Sequence, residues 1–426
     1  MNPPVGLDFG TTNSSVARVQ PDGTVALVSF PTAQGFTESF RSLLYLERAT
    51  ARGPSTVRSW AGPEGIERYL QAEVKGRLVQ SLKSFLSSRL LVSTDVFGRQ
   101  YTVEDLIARM LRELRQHAER AFGHPVRHAV VGRPVHYVGA EQPADNDHAV
   151  NRMHKALQLA GWEHVRFELE PIGAAYHYES TLDHDELILI GDFGGGTSDF
   201  SLLRVGPTIR TRGRQPQDLL GNAGLGLAGD AFDARIIKHL VSPQLGAGSS
   251  IRSLGKELPM PVWVYSKLER WHHLSLLKNR ETLEMLRSIA VQSESPDQID
   301  ALLHLIREDL GYQLHRAVQA FKCRLSESEQ ATFHFADAHV EIEASIPRAD
   351  FEDWIEPELD SLDHCIAGLL SDAGVDARDV DRVFLTGGTS FVPAVRRLFA
   401  HRFGADRIRT GGEFTSVARG LALSAL

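Results

Sequence analysis

The sequence predicts an α/β chain built from two similar lobes, on three observations. Strand-like and helix-like segments alternate along its length, the pattern of sheets covered by helices. The segments "VGLDFGTTNSSVARV" from Val5 and "LILIGDFGGGTSDFSLLRV" from Leu187 echo one another: an apolar run, Asp-Phe-Gly, a Gly/Thr/Ser-rich turn, then a second strand-like run. The length, 426 residues, suits two or three folding units. The echo recurs far beyond the ~20–50-residue periods of solenoids, so it marks duplicated lobes.

Each copy reads as a β-hairpin, because β-branched and apolar residues flank residues that tolerate φ > 0. Between them, "TVEDLIARMLRELRQHAERAF" predicts a helix capped by Thr102, with Leu106, Ile107, Met110, Leu111, Leu114 and Ala121 on one face. "HAVVGRPVHY" predicts a strand with Pro134 near its end, and "ADNDHAVNRMHKALQLAGW" a loop and then a helix. After the second hairpin, "GNAGLGLAGDAFDARIIKHLV" reads as a loop feeding a helix, and residues 242–262 as a loop or small insertion. "DQIDALLHLIREDLGYQLHRAVQAFKCRL" predicts one long amphipathic helix, and "VEIEASIPRADFEDW" a strand with a helix starting at Pro347. "RVFLTGGTSFVPAVRRLF" reads as strand, glycine turn and helix, and "EFTSVARGLALSAL" as a final helix.

A net charge of −8 disfavours nucleic acid and anionic membranes as partners. It leaves room for a locally bound anion, held by backbone N–H groups and a lysine. The two cysteines, Cys323 and Cys365, form no disulfide framework and no C-x-x-C pair, which suits a reducing cytoplasm. No signal peptide and no membrane span is visible, so a cytoplasmic protein is expected. The histidines show no clear ligand spacing.

The chemistry concentrates in the two Asp-Phe-Gly hairpins. Glycines let a backbone approach a phosphate closely and aim consecutive N–H groups at its oxygens. A carboxylate at the strand end suits magnesium or its waters. A protein-kinase reading of Asp-Phe-Gly fails, since no H-R-D-type loop lies upstream. No G-x-x-x-x-G-K-[ST] phosphate loop is present. Gly224, Gly226 and Gly229 spell G-x-G-x-x-G, but no strand is predicted before them as a dinucleotide fold requires.

With the connecting "ELEPIGAAYHY" and the later "VFLTGGTSFVPAVRRLF", these hairpins resemble, in order and over essentially the whole chain, the nucleotide-binding domain of DnaK-type heat-shock protein 70 chaperones. The resemblance implies a two-lobed actin-like ATPase (ribonuclease H-like) fold with a duplicated phosphate-hairpin lobe. Lobe I would span 1–186, closed by a helix over 411–426; lobe II would span 187–410, with a helical insertion at about 231–330. It implies bound ATP or ADP with Mg²⁺, and a K⁺ site as a further option. Gly10, Thr11, Thr12, Gly194, Gly195 and Gly196 would hold phosphates. Lys83, Glu170, Asp192 and Thr197 would be catalytic, and Asp8, Asp192 and Asp199 would serve the metal. Lys83 has an alternative reading as a solvated lysine on an amphipathic helix. Gly229, Asp230, Lys322, Ser326, Gly387, Gly388 and Thr389 would line the ribose and purine.

The sequence departs from the family on the base side. Gln319, Cys323, Phe391 and Phe414 stand where the family has a glutamate, two arginines and an aspartate, and Asn13 replaces an aromatic in the first turn. The resemblance ends with the nucleotide domain, the shape of the short, YegD-like branch, and implies no peptide-binding domain. The expected function is a nucleotide-controlled, chaperone-like ATPase whose partners are nucleotide and a protein client or co-chaperone. The alternatives are a non-hydrolysing ATP-binding adaptor, a small-molecule kinase of the same clan, and an actin-like filament.

Overall fold

Both echoing segments fold as hairpins, and each opens a sheet. In the computed structural model, which describes residues 3–49, 57–74, 76–253, 256–270, 274, 277–410 and 415–425, β1 (Val5–Phe9) and β2 (Asn13–Val19) pair antiparallel with Asp8 opposite Ser15. The meander continues into β3 (Val25–Leu27). On the other side of β1 lie β4 (His128–Arg133) and β5 (His164–Leu169), both parallel to it. The order is β5-β4-β1-β2-β3. The second sheet repeats it. There β6 (Glu186–Phe193), β7 (Ser198–Val205) and β8 (Leu219–Leu225) form the antiparallel meander. Beyond β6 lie β9 (Arg382–Thr386) and β10 (Ile408–Thr410), in parallel. The order β10-β9-β6-β7-β8 is the structural form of the duplication. All of β6 is buried, which is why it reads as an unbroken apolar run up to its aspartate.

Contacts divide the chain into two compact units. The first holds residues 1–229, 361–390 and 395–426, and so contains both sheets. Its helices include α1 (Val103–Phe122), α2 (Pro143–Leu159), α3 (Glu170–Glu179), all but the first two residues of α4 (Pro393–Phe403), and α5 (Ser416–Leu423). Thr102 caps α1 as predicted: its hydroxyl accepts from Asp105 N at 3.1 Å, and the Asp105 carboxylate accepts from Thr102 N at 3.0 Å. The buried stripe of α1 runs through Leu114 to Ala118; Ala121 is exposed, because a heptad repeat drifts around a straight helix. One buried cluster contains Val130 of β4, Ile188 and Ile190 of β6 and Phe384 of β9, together with Ala174 and Ala175 of α3 and Val417 and Leu421 of α5. Helices α3 and α5 therefore share a core with both sheets. They approach at glycines: a Cβ on Gly420 would lie 1.6 Å from the carbonyl oxygen of Gly173.

The second unit holds residues 230–360 and 391–394. The long helix expected around residue 310 is two helices, Pro296–Arg307 and Gly311–Glu327. The break falls where Asp309 adopts φ +56°, a left-handed conformation no helix continues through. A hairpin of Gln330–Asp337 and Val340–Pro347 follows, then a helix Arg348–Trp354 starting after Pro347 as expected. Three further expectations change. Residues 219–225 are strand β8 rather than loop, because pairing with β7 overrides weak local propensity. Residues 242–262 hold a helical turn, Ser242–Gln244, and the hairpin Ser250–Ser253 with Lys256–Pro259. Helix α2 begins at Pro143, since proline suits the first helical turn. Among the described residues, no helix is long and apolar enough to cross a membrane.

Candidate active site

Most site residues of the first unit sit at the carboxyl ends of β1, β5, β6 and β9 and on the loops that follow, where open α/β sheets place ligands; Asp199 opens β7, and Lys83 lies on a separate turn. In the first turn a Cβ on Gly10 would lie 2.2 Å from Asn13 O, so only glycine fits. In the second turn Gly194 N donates to Thr197 O at 2.9 Å and closes the loop. A Cβ on Gly196 would lie 3.1 Å from Val138 Cγ2 and 3.4 Å from both Ser84 Oγ and Thr11 Oγ1. The two glycine turns and the segment carrying Lys83 therefore converge. Gly387, at φ +85°, packs so closely that a Cβ would lie 1.9 Å from Phe193 O, which sets the Gly387–Gly388 turn on the end of β6. Thr389 is buried in the short turn Gly388–Phe391, and Thr11 and Thr197 are buried as well.

Charged groups crowd this place. Asp8 lies near the end of β1, and Asp192 near the end of β6, directly across the hairpin from Asp199. Glu170 opens α3 immediately after β5. Lys83 lies on a short 3₁₀ turn, Leu82–Phe85, that follows Ser81 in a left-handed conformation at φ +53°. Lys83 Nζ meets Glu170 Oε1 at 2.5 Å, and both side chains are under a tenth exposed. Lys83 is thus a buried ion-pair partner, not a solvated helix residue. Burial opposes its charge, but Glu170, Tyr137 and Asp8 outweigh burial and hold the ammonium above its ordinary range.

The carboxylates respond in the opposite sense. Burial first, and the negative charge of Glu170 second, push Asp8 up to about 7 against the pull of Lys83. Burial and Glu170 also push Asp199 to about 7, although its Oδ1 accepts from Val135 N at 2.7 Å. Asp192 is raised well above the usual carboxylate range by burial, then by Glu170, Asp8 and Asp199. Like charges directly across a strand pair repel. Four carboxyls face one ammonium here, so on full ionisation the group would carry more negative charge than Lys83 balances. Hard oxygen donors with surplus negative charge fit a hard divalent cation such as Mg²⁺.

The remaining predicted residues lie on the two turns, on the helix Gly229–Ile236 and in the second unit. Thr12 and Gly195 belong to the two turns. Gly229 begins the helix Gly229–Ile236, and Asp230 is its second residue. Asp230, Lys322 and Ser326 belong to the second unit. There Lys322 Nζ meets Asp233 Oδ1 at 2.6 Å, and Ser326 Oγ donates to Lys322 O at 3.1 Å. Gln319 and Cys323 lie on the same helix, Gly311–Glu327, with Cys323 exposed. Phe391 is exposed, and Phe414 lies outside the described residues. Asn13 Oδ1 accepts from Arg41 Nη1 at 3.3 Å. Sequence reasoning passed over Tyr137, a buried tyrosine whose hydroxyl is pushed up to about 12 by burial and which acts electrostatically on Lys83. The available signal was its place just past the end of a parallel strand, four residues after Arg133 closes β4.

The profile described as "Hsp70 protein" matches residues 62–250 and 301–426. The chain is 25% identical over 425 residues to the chaperone protein DnaK of Thermotoga petrophila, covering 99% of this chain and 59% of the relative. It is 26% identical over 422 residues to the DnaK of Thermosipho africanus, covering 99% and 58%. The chain thus spans less than two thirds of the curated relatives it matches. The fold is the actin-like ATPase fold, with its sheet duplicated as described. The chain belongs to the Hsp70 family.

Proposed function

We propose that this protein is a Mg²⁺-dependent ATP-binding and ATP-hydrolysing protein, a chaperone-like switch of the cytoplasm. The observation that carries the reading is the buried Lys83–Glu170 pair among Asp8, Asp192 and Asp199, at the foot of two facing glycine turns. Phosphoryl transfer to water needs positioning and charge stabilisation more than covalent help, and these residues are of the types that supply both. Gly10, Thr11 and Thr12 would hold one side of the phosphate chain, and Gly194, Gly195 and Gly196 the other. Lys83 and Thr197 would face the terminal phosphate. Glu170 and Asp192 would orient the attacking water. Asp8, Asp192 and Asp199 would hold Mg²⁺, directly or through water, and Asp8 and Asp199 are the residues for a K⁺ ion. A bound Mg²⁺ would supply charge neutralisation at the phosphate oxygens.

In this reading residues 1–186 and the closing helix form lobe I, and residues 187–410 form lobe II with a helical insertion. Gly229, Gly387, Gly388 and Thr389 of the first unit would serve the nucleoside. Loss of the terminal phosphate would release its contacts and shift the protein between two states. A client or co-chaperone would read that shift. The second reading is a non-hydrolysing adaptor of the same fold, favoured by Gln319, Cys323 and Phe391 on the base side. Phosphate release with Mg²⁺ separates the two, measured for wild type, Asp192→Ala and Lys83→Ala. Turnover lost in both variants supports the ATPase. Tight ATP binding with no wild-type turnover supports the adaptor. Turnover that requires an added sugar overturns both.

A further inference from the structure

Lys83 lies on a segment with little local structure of its own. Its 3₁₀ turn, Leu82–Phe85, is four residues long, and the residue before it, Ser81, is a non-glycine held left-handed. Conformations of that kind persist only where surrounding contacts over-determine them. The carbonyls that follow have no helix to bond into, since the turn ends at Phe85. Phe85 O accepts one turn bond, from Ser88 N at 3.2 Å, and a single side chain reaches it and three carbonyls beyond it. Arg152 of α2 donates from Nη1 to Phe85 O at 3.0 Å, Ser88 O at 3.0 Å and Leu86 O at 3.4 Å. Its Nη2 donates to Leu91 O at 3.2 Å and to Glu104 Oε2 at 3.1 Å. Arg152 and Glu104 are both buried, so the guanidinium is charge-balanced by a carboxylate from the first turn of α1. Burial alone would raise the Glu104 carboxyl, yet its hydrogen bond to Arg152 leaves it below its ordinary value.

We infer that Arg152, held by Glu104, is the positioning residue for Lys83: its guanidinium gathers the carbonyls of Phe85, Leu86, Ser88 and Leu91 and fixes the turn from which Lys83 reaches Glu170. The inference rests on the proposed role of Lys83 at the terminal phosphate. The chemistry is specific to arginine. Its planar fork serves several carbonyls at once, whereas a lysine ammonium in the same place is a point charge. The segment is fixed at a second point by Ser87 Oγ, which donates to Val138 O at 2.5 Å, beside the place where Gly196 packs. Residues 85–91 are thus tied at two points, by Arg152 and by Val138 O.

The test is a mutant cycle read on ATP and on ADP, with Mg²⁺. Wild type, Arg152→Lys, Glu104→Gln, Lys83→Met and the double variant Arg152→Lys with Lys83→Met are compared for single-turnover hydrolysis and for the ratio of ATP to ADP affinity. A small displacement of Lys83 should slow hydrolysis about tenfold or more in Arg152→Lys, with ADP affinity within about twofold of wild type because ADP lacks the phosphate Lys83 would contact. In the Lys83→Met background the Arg152→Lys change should remove nothing further, since two residues acting as a unit are non-additive. An equal loss in both backgrounds, or an ADP affinity that falls in step with ATP, overturns the inference. Amide exchange reads the same device without nucleotide. Arg152→Lys should speed exchange over residues 84–91 and leave 128–133 unchanged; protection kept over 84–91 overturns it. If wild type neither binds nor turns over ATP, the proposed function falls on that result, and the exchange measurement still decides whether Arg152 fixes the turn. Glu104→Gln, which keeps every carbonyl contact, should give a weaker form of the same exchange pattern.

Discussion

Lys83→Met is the perturbation that tests most of the site at once. Methionine keeps much of the stem and deletes the ammonium, both its charge and the hydrogen bond it donates to Glu170. The ion pair it removes spans 2.5 Å between side chains that are 7% and 8% exposed, so solvent screens it little. Breaking a buried pair by deleting one partner costs about 3–5 kcal/mol, because the other charge is left uncompensated. Part of that loss is relieved here. Asp8 and Asp199 already sit at about 7, so a proton is taken up cheaply near neutral pH. A net destabilisation of about 2–3 kcal/mol is expected at pH 7 without added Mg²⁺, and more at pH 8.5, where the carboxylates stay ionised. Turnover should fall by about 10²–10³, the usual consequence of losing one preorganised group at developing charge. Urea unfolding at the two pH values measures the first quantity, and single-turnover phosphate release with excess protein measures the second. Turnover within about threefold of wild type, a difference of well under 1 kcal/mol in barrier, would refute the role given to Lys83. A stability loss no larger at pH 8.5 than at pH 7 would refute the electrostatic reasoning.

Asp192→Asn removes one of two carboxylates that face each other across the second hairpin, so apo stability should rise slightly while Mg²⁺-dependent nucleotide affinity falls about tenfold or more, read by calorimetry. Gly387→Ala forces a side chain into φ +85° with its Cβ 1.9 Å from Phe193 O, so a loss of about 2–4 kcal/mol and of nucleotide affinity is expected on denaturation and binding assays. Glu113 of α1 lies far from the proposed chemistry in sequence, and burial raises its carboxyl from 4.5 to about 7 although Ala61 N donates to it. An acid raised on folding contributes stability that is complete below its unfolded value and lost as pH rises toward its folded one. Glu113→Gln should therefore be more stable than wild type by up to about 3 kcal/mol above pH 7 and gain nothing near pH 4.5, a difference urea titrations across pH 4.5–8 would show or deny.

The two hairpins were legible because each combines a period-2 apolar run with glycines at a turn, two independent signals that agree. Helix α1 was legible from Thr102 and its stripe. Strand β8 was not, because its glycines argue against a strand; it exists because β7 offers an edge, and a Cβ on Gly224 would lie 2.7 Å from Asp199 Oδ1. The break at Asp309 was hidden because apolar spacing on both sides fits a single helix, and one left-handed residue leaves no mark on that pattern. Within the site, Asp8, Asp192 and Asp199 were readable from motifs that lie close in sequence. The pairing of Lys83 with Glu170 joins residues 87 positions apart, and the reach of Arg152 to Phe85 spans 67, distances over which local patterns carry no information.

The close crossing of α3 and α5 bears on how the chain is made. Gly6 of β1 leaves its Cβ position 2.2 Å from Ala418 O, and Gly420 lies against Gly173, so part of the first sheet is covered by a helix from the far end of the sequence. During synthesis the opening hairpin must wait for that cover until about four hundred further residues have emerged, tens of seconds at synthesis rates of roughly 5–20 residues per second. Loop-closure entropy must be overcome before such a contact can form, which favours slow folding with an exposed intermediate. A chain stalled or cut just before Ser416 would therefore carry every phosphate-facing residue named above and still present an uncovered apolar sheet face. Such nascent fragments would be expected to aggregate, or to need a holding chaperone until the last helix arrives.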